Sequence, residues 1–462
     1  MRSRVRNWGA FVVAAALIVF GTVAAKATAY HATLLRSTPA ANSTLLKRPD
    51  TVRLVFSEGV VPDLSQVAIV APDSSTVQLG VTNDPHDVHV LLGVIPTGAL
   101  NIECSGTPCV ARYRLTWHVL SADGHPVGGA FFFSVANQHR SAATQSVDNA
   151  AASSTAVVST TRSPDTARPE SVSSDDGIPW LAAVARGLGL GAIMAAVGLL
   201  FFGRDRTTTG DASFRSRIST FVAIGTLLLI VHMYAWLRHI APNRNLSGSV
   251  FTTAVGSGVG RWELARVVLA ILTLWAIALA RSERIALSLG ILCLLASGAV
   301  GHPAAIAPAW TVPAKMAHLV AGAIWLGGLL WLLQTYRANS DALARESRRV
   351  STAALYSLIL VLLSGVIQIR FFLNTPSDLF ASYYGRLALA KIAGLVILIG
   401  YGGYNRYRAM PAMANDKTGD SLKRAISQEL VVMTMLVLVG GLLAYVPTPA
   451  VVPAAQTSGQ TQ

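Results

Sequence analysis

Pro179-Trp-Leu-Ala-Ala-Val-Ala-Arg-Gly-Leu-Gly-Leu-Gly-Ala-Ile-Met-Ala-Ala-Val-Gly-Leu-Leu-Phe-Phe-Gly203 decides the fold of this chain. As a helix rising about 1.5 Å per residue, such a run crosses a hydrocarbon core about 30 Å thick. Seven similar runs follow, at roughly 217–238, 262–281, 284–301, 313–334, 351–372, 386–405 and 428–446, and the one at 284–301 is the shortest. Residues 178–447 therefore predict an all-α polytopic membrane domain with about eight transmembrane helices. Composition agrees. Of 462 residues, 52% are apolar and 13% charged, where a soluble domain carries about 25% charged residues. A wholly disordered chain is excluded, and a single soluble domain does not fit the length.

Upstream of the first run, residues 137–177 are rich in Ser, Thr, Ala and Asp and read as a flexible linker. Residues 31–136 are different again. Short apolar runs are broken there by Pro, Asp, Gly and Asn: Thr51-Val-Arg-Leu-Val-Phe56, Gln66-Val-Ala-Ile-Val70, Arg112-Tyr-Arg-Leu-Thr-Trp-His-Val-Leu120 and Ala130-Phe-Phe-Phe-Ser-Val135. That is the pattern of a small all-β sandwich or barrel. Residues 1–30 read as a signal peptide. Arg2, Arg4 and Arg6 precede an apolar stretch that ends in Ala27-Thr-Ala29, an A-x-A cleavage pattern. An uncleaved anchor is the competing reading. The polar residues 448–462 read as a disordered tail.

The net charge is +14, and its distribution matters more than its size. If the β domain is exported, residue 178 starts outside. The loops 204–217, 281–284, 335–350 and 406–427 then face the cytoplasm and hold fifteen Lys and Arg. The outside loops and the tail hold two, Arg244 and Arg261. This is the positive-inside asymmetry, and it points to a lipid bilayer rather than to nucleic acid as the partner of the basic residues.

The histidines carry most of the chemistry. His31 falls at or next to the new N-terminus, where a free amine and an imidazole together form a two-nitrogen bite suited to Cu(II). In His118-Val-Leu-Ser-Ala-Asp123-Gly-His125-Pro, an Asp-x-His pair on a strand would point both side chains to one face. Together these residues make an N,N,O,N set of the tetragonal type that Cu(II) prefers. Asp-Gly-His by itself also reads as a turn Asp followed by a surface His. No methionine lies in 31–136, so that part offers no thioether cluster for Cu(I). In the membrane domain, His232, His239, His302 and His318 all fall in the outer half. Met233 and Met316 lie beside them. Imidazole with thioether suits Cu(I) as well as Cu(II); packing Met and interhelical hydrogen-bonding His are the competing reading. Glu263, Arg266, Lys315, Arg370 and Lys391 lie within or at the ends of runs, and Glu263 with Arg266 reads as an i,i+3 pair. Cys104 and Cys109 form either a local disulfide or a metal pair. Cys293, inside a run, reads as packing.

Several segments resemble a known family. His31-Ala-Thr-Leu-Leu-Arg-Ser-Thr-Pro-Ala40, Val52-Arg-Leu-Val-Phe-Ser-Glu58 and Trp117-His-Val-Leu-Ser-Ala-Asp-Gly-His-Pro-Val-Gly-Gly129 are similar to the CopC family of periplasmic copper-binding proteins. Gly301-His-Pro-Ala-Ala305, His318-Leu-Val-Ala-Gly-Ala-Ile-Trp-Leu-Gly-Gly328, Tyr384-Gly-Arg-Leu-Ala-Leu-Ala-Lys391 and Gln428-Glu-Leu430 resemble CopD, its membrane partner family. The order is that of a CopC–CopD fusion. The resemblance implies His31, Asp123 and His125 as copper ligands, with Glu58 an acidic residue near the metal. It implies copper uptake or tolerance at a bacterial inner (plasma) membrane, with the β domain on the periplasmic side and other copper-handling proteins as partners. One departure bears on the site. Tyr30 stands where the family has a small residue, and cleavage after Ala29 would leave Tyr30, not His31, as the first residue.

Two other functions compete. Paired intramembrane histidines, such as His232 and His318, would suit a haem-binding redox protein. The membrane part would otherwise only anchor a copper sensor. No phosphate-cradling loop of the P-loop type is present, and the expectation is a transporter or binding protein rather than an enzyme.

Overall fold

The computed structural model describes residues 33–98, 100, 109–122, 124, 126–137, 179–207, 212–241, 246–335, 340–409, 420–446, 448 and 449. The chain divides into two compact units, one of β-strands and one of helices. The expected signal segment 1–30, residues 138–177 of the expected linker and residues 450–462 of the expected tail lie outside the described residues, as does Cys104.

The β domain has eight strands: β1 (Leu34–Thr38), β2 (Thr44–Leu45), β3 (Thr51–Phe56), β4 (Val60–Val70), β5 (Thr76–Asp84), β6 (Asp87–Val94), β7 (Cys109–Ser121) and β8 (Pro126–Asn137). They form one sheet in the order β1-β3-β6-β5-β4-β7-β8-β2. Alternation builds it. Along β7, Ala111, Tyr113, Leu115, Trp117 and Val119 are buried while Val110, Arg112 and Arg114 are exposed, so one face packs and the other meets solvent. The buried residues of β3, β4, β5, β6, β7 and β8 join a single core with Phe56, Tyr113 and Phe133 among them. A sheet whose two ends share one core must curl upon itself, which makes the domain a half-barrel. The stacked Tyr113 and Phe133 rings, 5.5 Å apart, tie β7 to β8.

The helical domain runs α1 (Trp180–Thr207), α2 (Ala212–Ile240), α3 (Gly248–Gly256), α4 (Gly258–Ala278), α5 (Glu283–Gly298), α6 (His302–Ala305), α7 (Pro308–Thr335), α8 (Ser340–Phe372), α9 (Asp378–Ala381), α10 (Tyr383–Tyr404), a π-helical turn at Asn405–Ala409 and α11 (Asp420–Leu443). Serine side chains start several of them. Ser257 Oγ accepts from Gly260 N at 3.0 Å and Ser382 Oγ from Gly385 N at 2.9 Å. Helices occupy all eight predicted places. Among the described residues six of them, α1, α2, α7, α8, α10 with its π turn, and α11, are long and apolar enough to cross a membrane. The third and fourth expected spans differ: α4 carries Arg261, Glu263 and Arg266, and α5 has 16 residues. The exposed apolar face of α8, from Leu355 through Val366, suits contact with lipid rather than water.

Glycines set the crossings of α1. A Cβ on Gly198 would lie 2.1 Å from Ala323 O and 2.6 Å from Gly327 Cα of α7. A Cβ on Gly441 of α11 would lie 2.7 Å from Ala183 O and from Gly187 Cα. Backbones meet there without side chains between them, as small residues in membrane helices permit.

Candidate metal centres

The predicted Cu(II) ligands of the β domain, His31, Asp123 and His125, lie outside the described residues. Their surroundings are described. β7 ends at Ser121 and β8 begins at Pro126; the Asp-x-His pair falls between those bounds in sequence. The preceding Trp117 is seated by glycine: a Cβ on Gly129 would come within 2.2 Å of its ring, and Phe131 lies 5.8 Å from it, centroid to centroid. Any larger residue at Gly129 would displace the indole. His118 is half-buried, on the face of β7 opposite the core residues.

Glu58 lies two residues after β3 and is buried, at 5% exposure. A buried carboxylate is costly unless it has partners, and Glu58 has one. Its neighbour Ser57 clamps the chain just after His31. Ser57 Oγ accepts from Thr33 N at 2.8 Å, and Ser57 N donates to Thr33 O at 2.9 Å. The segment two residues beyond His31 is thus fixed beside Glu58. Nothing in sequence spacing pointed to Ser57, because the contact joins residues 24 positions apart.

In the helical domain each histidine has its own partners. His232 of α2 is fully buried. Its Nδ1 lies 3.0 Å from Ala182 O and 3.2 Å from Tyr445 Oη, and its Nε2 is 3.4 Å from Glu263 Oε2. Glu263 also pairs with Arg266, and both are buried. His302 Nε2 donates to Val446 O at 2.9 Å, with Phe372 and Tyr384 edge-on to its ring. His318 Nδ1 lies 2.9 Å from Ser364 Oγ, which itself donates to Val361 O at 3.0 Å. The serine therefore accepts from His318 Nδ1–H, and Nε2 carries the lone pair. A second partner selects the tautomer that leaves one ring nitrogen able to bind metal. A carbonyl can only accept, so His232 Nδ1 likewise donates to Ala182 O. His239 is half-buried. Met233 is buried, and Met316 packs on the backbone of Gly298, whose Cβ would meet Met316 Cγ at 2.5 Å. Among the described residues no three His, Cys, Asp or Glu side chains are grouped to hold a metal ion. His232 and His302 are nevertheless tied to consecutive residues, Tyr445 and Val446.

Sequence reasoning passed over Arg186, and gave Glu429 no role beyond the family-like segment that holds it. Arg186, buried within the first apolar run, donates through Nη2 to Val300 O at 3.4 Å, and Lys315 Nζ donates to the same oxygen at 2.7 Å. Glu429 of α11 is buried, accepting from Trp325 Nε1 at 3.0 Å and Asn405 Nδ2 at 2.9 Å. It lines a mostly apolar cavity of about 280 Å³ between α7, α8, α10 and α11. The signal for both was available, as a lone charge in an apolar run. Arg370, by contrast, is exposed, so its place at a helix end needs no partner.

Comparison with known proteins meets this arrangement at both ends of the chain. The CopC domain family matches residues 34–136, and the family described as copper resistance protein D matches residues 344–443. Copper resistance protein C of Xanthomonas campestris pv. juglandis is 31% identical over 125 residues, 27% of this chain and 94% of that protein. Copper transport protein CutJ of Bacillus subtilis (strain 168) is 24% identical over 463 residues, covering 94% of this chain and 77% of that one. The crystal structure of CopC from Methylosinus trichosporium OB3b shares 27% identity, covers 24% of this chain and 98% of its own, and gives a TM-score of 0.21. A match to one copper-resistance family thus precedes, along the chain, a match to another. Through its β domain the chain belongs to the CopC copper-resistance family, and its helical domain is similar to copper resistance protein D over residues 344–443.

Proposed function

We propose that this protein captures Cu(II) on the outer side of a bacterial inner membrane and passes it to its own membrane domain, for copper uptake or tolerance. The observation that carries this reading is the succession of a CopC domain and a CopD domain in one chain, in the order found along CutJ. Capture falls to the amine and imidazole of His31 with Asp123 and His125, a donor set suited to Cu(II). Glu58 stands near it as an acidic neighbour. The Ser57–Thr33 clamp supports the site, since it holds the chain next to His31 at the Glu58 turn. His232, His239, His302 and His318, with Met233 and Met316, take over the ion as Cu(II), or as Cu(I) once a separate copper-handling reductase has supplied one electron. They do so from hydrogen-bonded positions rather than from a preassembled cage. Eight spans, with α4 and α5 counted among them, return residues 448–462 to the outer side.

The test is Cu(II) binding by purified full-length protein, read by calorimetry and by the electron paramagnetic resonance of the bound ion. One tight Cu(II) is expected when mass spectrometry finds His31 as the first residue. His125→Ala should weaken it by at least tenfold and change the nitrogen hyperfine pattern. Unchanged affinity and spectrum in His125→Ala, or in protein beginning at Tyr30, would reject the N-terminal chelate. His318→Ala should leave this binding intact and lower copper accumulation or tolerance in cells.

A further inference from the structure

Three cationic side chains crowd one region of the helical domain. Arg186 and Arg266 are buried, at 6% and 0% exposure, and Lys315 is half-buried. Arg186 Nη2 and Lys315 Nζ share a single acceptor, Val300 O, at 3.4 and 2.7 Å. Arg186 lies one turn along α1 from Ala182, whose carbonyl accepts from His232, and His232 meets Glu263, the partner of Arg266, so the three cations lie along one chain of contacts. Against them stands Glu263, which pairs with Arg266 and lies 3.4 Å from His232. Among the described residues no salt bridge joins Arg186 or Lys315 to a carboxylate. Arg266 uses Nη2 on Glu263, and among the described residues its Nε and Nη1 have no hydrogen-bond partner.

A buried guanidinium with unused donors and like charges beside it is unfavourable in a low-dielectric bundle. An anion removes both costs at once, because it accepts the spare N–H groups and offsets the surplus charge. The depth of the site restricts its size. With Arg266 fully buried and Arg186 nearly so, the ligand must be small and carry no bulky substituents.

We propose that Arg266, Arg186 and Lys315 form a binding site for a small inorganic anion of the halide class. Chloride is the natural occupant by size and charge. It accepts from the spare donors of Arg266, while Arg186 and Lys315 supply the positive field. Glu263 keeps Arg266 in place from the other flank. The inference stands apart from the copper reading, and its test contains no copper.

Full-length protein in detergent is melted across a chloride titration, with gluconate holding ionic strength constant. A saturable rise in melting temperature of about a few degrees is expected, reproduced by bromide. Lys315→Met and Arg186→Gln should each fold and lose most of that rise, with the apparent chloride affinity at least tenfold weaker. A melting temperature that does not respond to chloride in the wild type overturns the proposal. So does a response that persists undiminished in both variants, which would mark a general salt effect. If neither variant folds, equilibrium dialysis of wild-type protein with radioactive chloride decides: bound chloride near one per chain supports the site, and none overturns it.

Discussion

The two halves of this molecule handle charge in opposite ways. In the β domain two ion pairs among the described residues sit outside the core. Arg53 meets Asp84 at 2.8 Å and His89 meets Asp87 at 2.8 Å, with three of the four side chains about half exposed. In the helical domain His232, Glu263 and Arg266 form a chain of contacts in which every side chain is at most 1% exposed. Water screens the first kind, and an isolated exposed pair adds little to stability. Lipid and packed helices do not screen the second, so each partner becomes indispensable to the other. The β domain can place candidate ligands at its strand ends without disturbing its apolar core. The helical domain must build any polar site into its fold.

That contrast is sharpest at Glu263. Glu263→Gln leaves Arg266 and His232 buried without their carboxylate, and the loss should be about 3–5 kcal/mol, read as a fall in melting temperature or in folded yield from membranes. A variant as stable as the wild type would erase the distinction between the two regions. Trp325→Phe, which takes one of two N–H donors from Glu429, should cost about 1–3 kcal/mol in the same melting assay. Ser57→Ala in the β domain should cost only about 0.5–1.5 kcal/mol. It should nevertheless weaken Cu(II) binding severalfold, because it releases the backbone next to His31; calorimetry with unchanged affinity would break the link between clamp and site. The smallest effect is expected at Asp84. The backbone N–H of His86, and then Arg53, hold its carboxyl below the usual carboxylate range. A depressed folded value stabilises above the unfolded value of about pH 4 and is lost as pH falls through the folded one. Asp84→Asn should therefore lower the melting temperature slightly at neutral pH, and the difference should vanish on acidification. A large loss at pH 7, or one that grows in acid, would contradict this.

Sequence and structure agree where periodicity or length carried the message. Thr51–Phe56 is a strand with the bounds read from its apolar run, and the apolar runs of the membrane domain fall on helices. The count of spans was harder, because α4 is apolar enough to look like a span yet holds three charged residues on a single helix. The half-barrel order of strands was not legible, since β3 pairs with β6 and with β1 rather than with its sequence neighbours, and no local pattern encodes that. At the candidate sites, the histidines were visible as residue types, but their partners were not. Ala182 O, Val446 O and Ser364 Oγ are backbone atoms or an ordinary serine, brought to the imidazoles across 46 to 144 positions of chain. Tyr445 escaped notice for the same reason: nothing marks a tyrosine near the end of an apolar run as the neighbour of a histidine 213 residues earlier.

The glycine crossings of α1 have a mechanical consequence. Gly198 against Gly327 and Gly187 against Gly441 leave no side chain to give way, and close-packed interiors transmit displacement instead of absorbing it. Helices α1, α7 and α11 therefore work as one stiff truss. A displacement of α7, which carries Lys315 and His318, reaches α11 both through α1 and directly through the Trp325–Glu429 hydrogen bond. Any rocking that accompanies passage of an ion has its hinge outside this trio, in the helices that close around it.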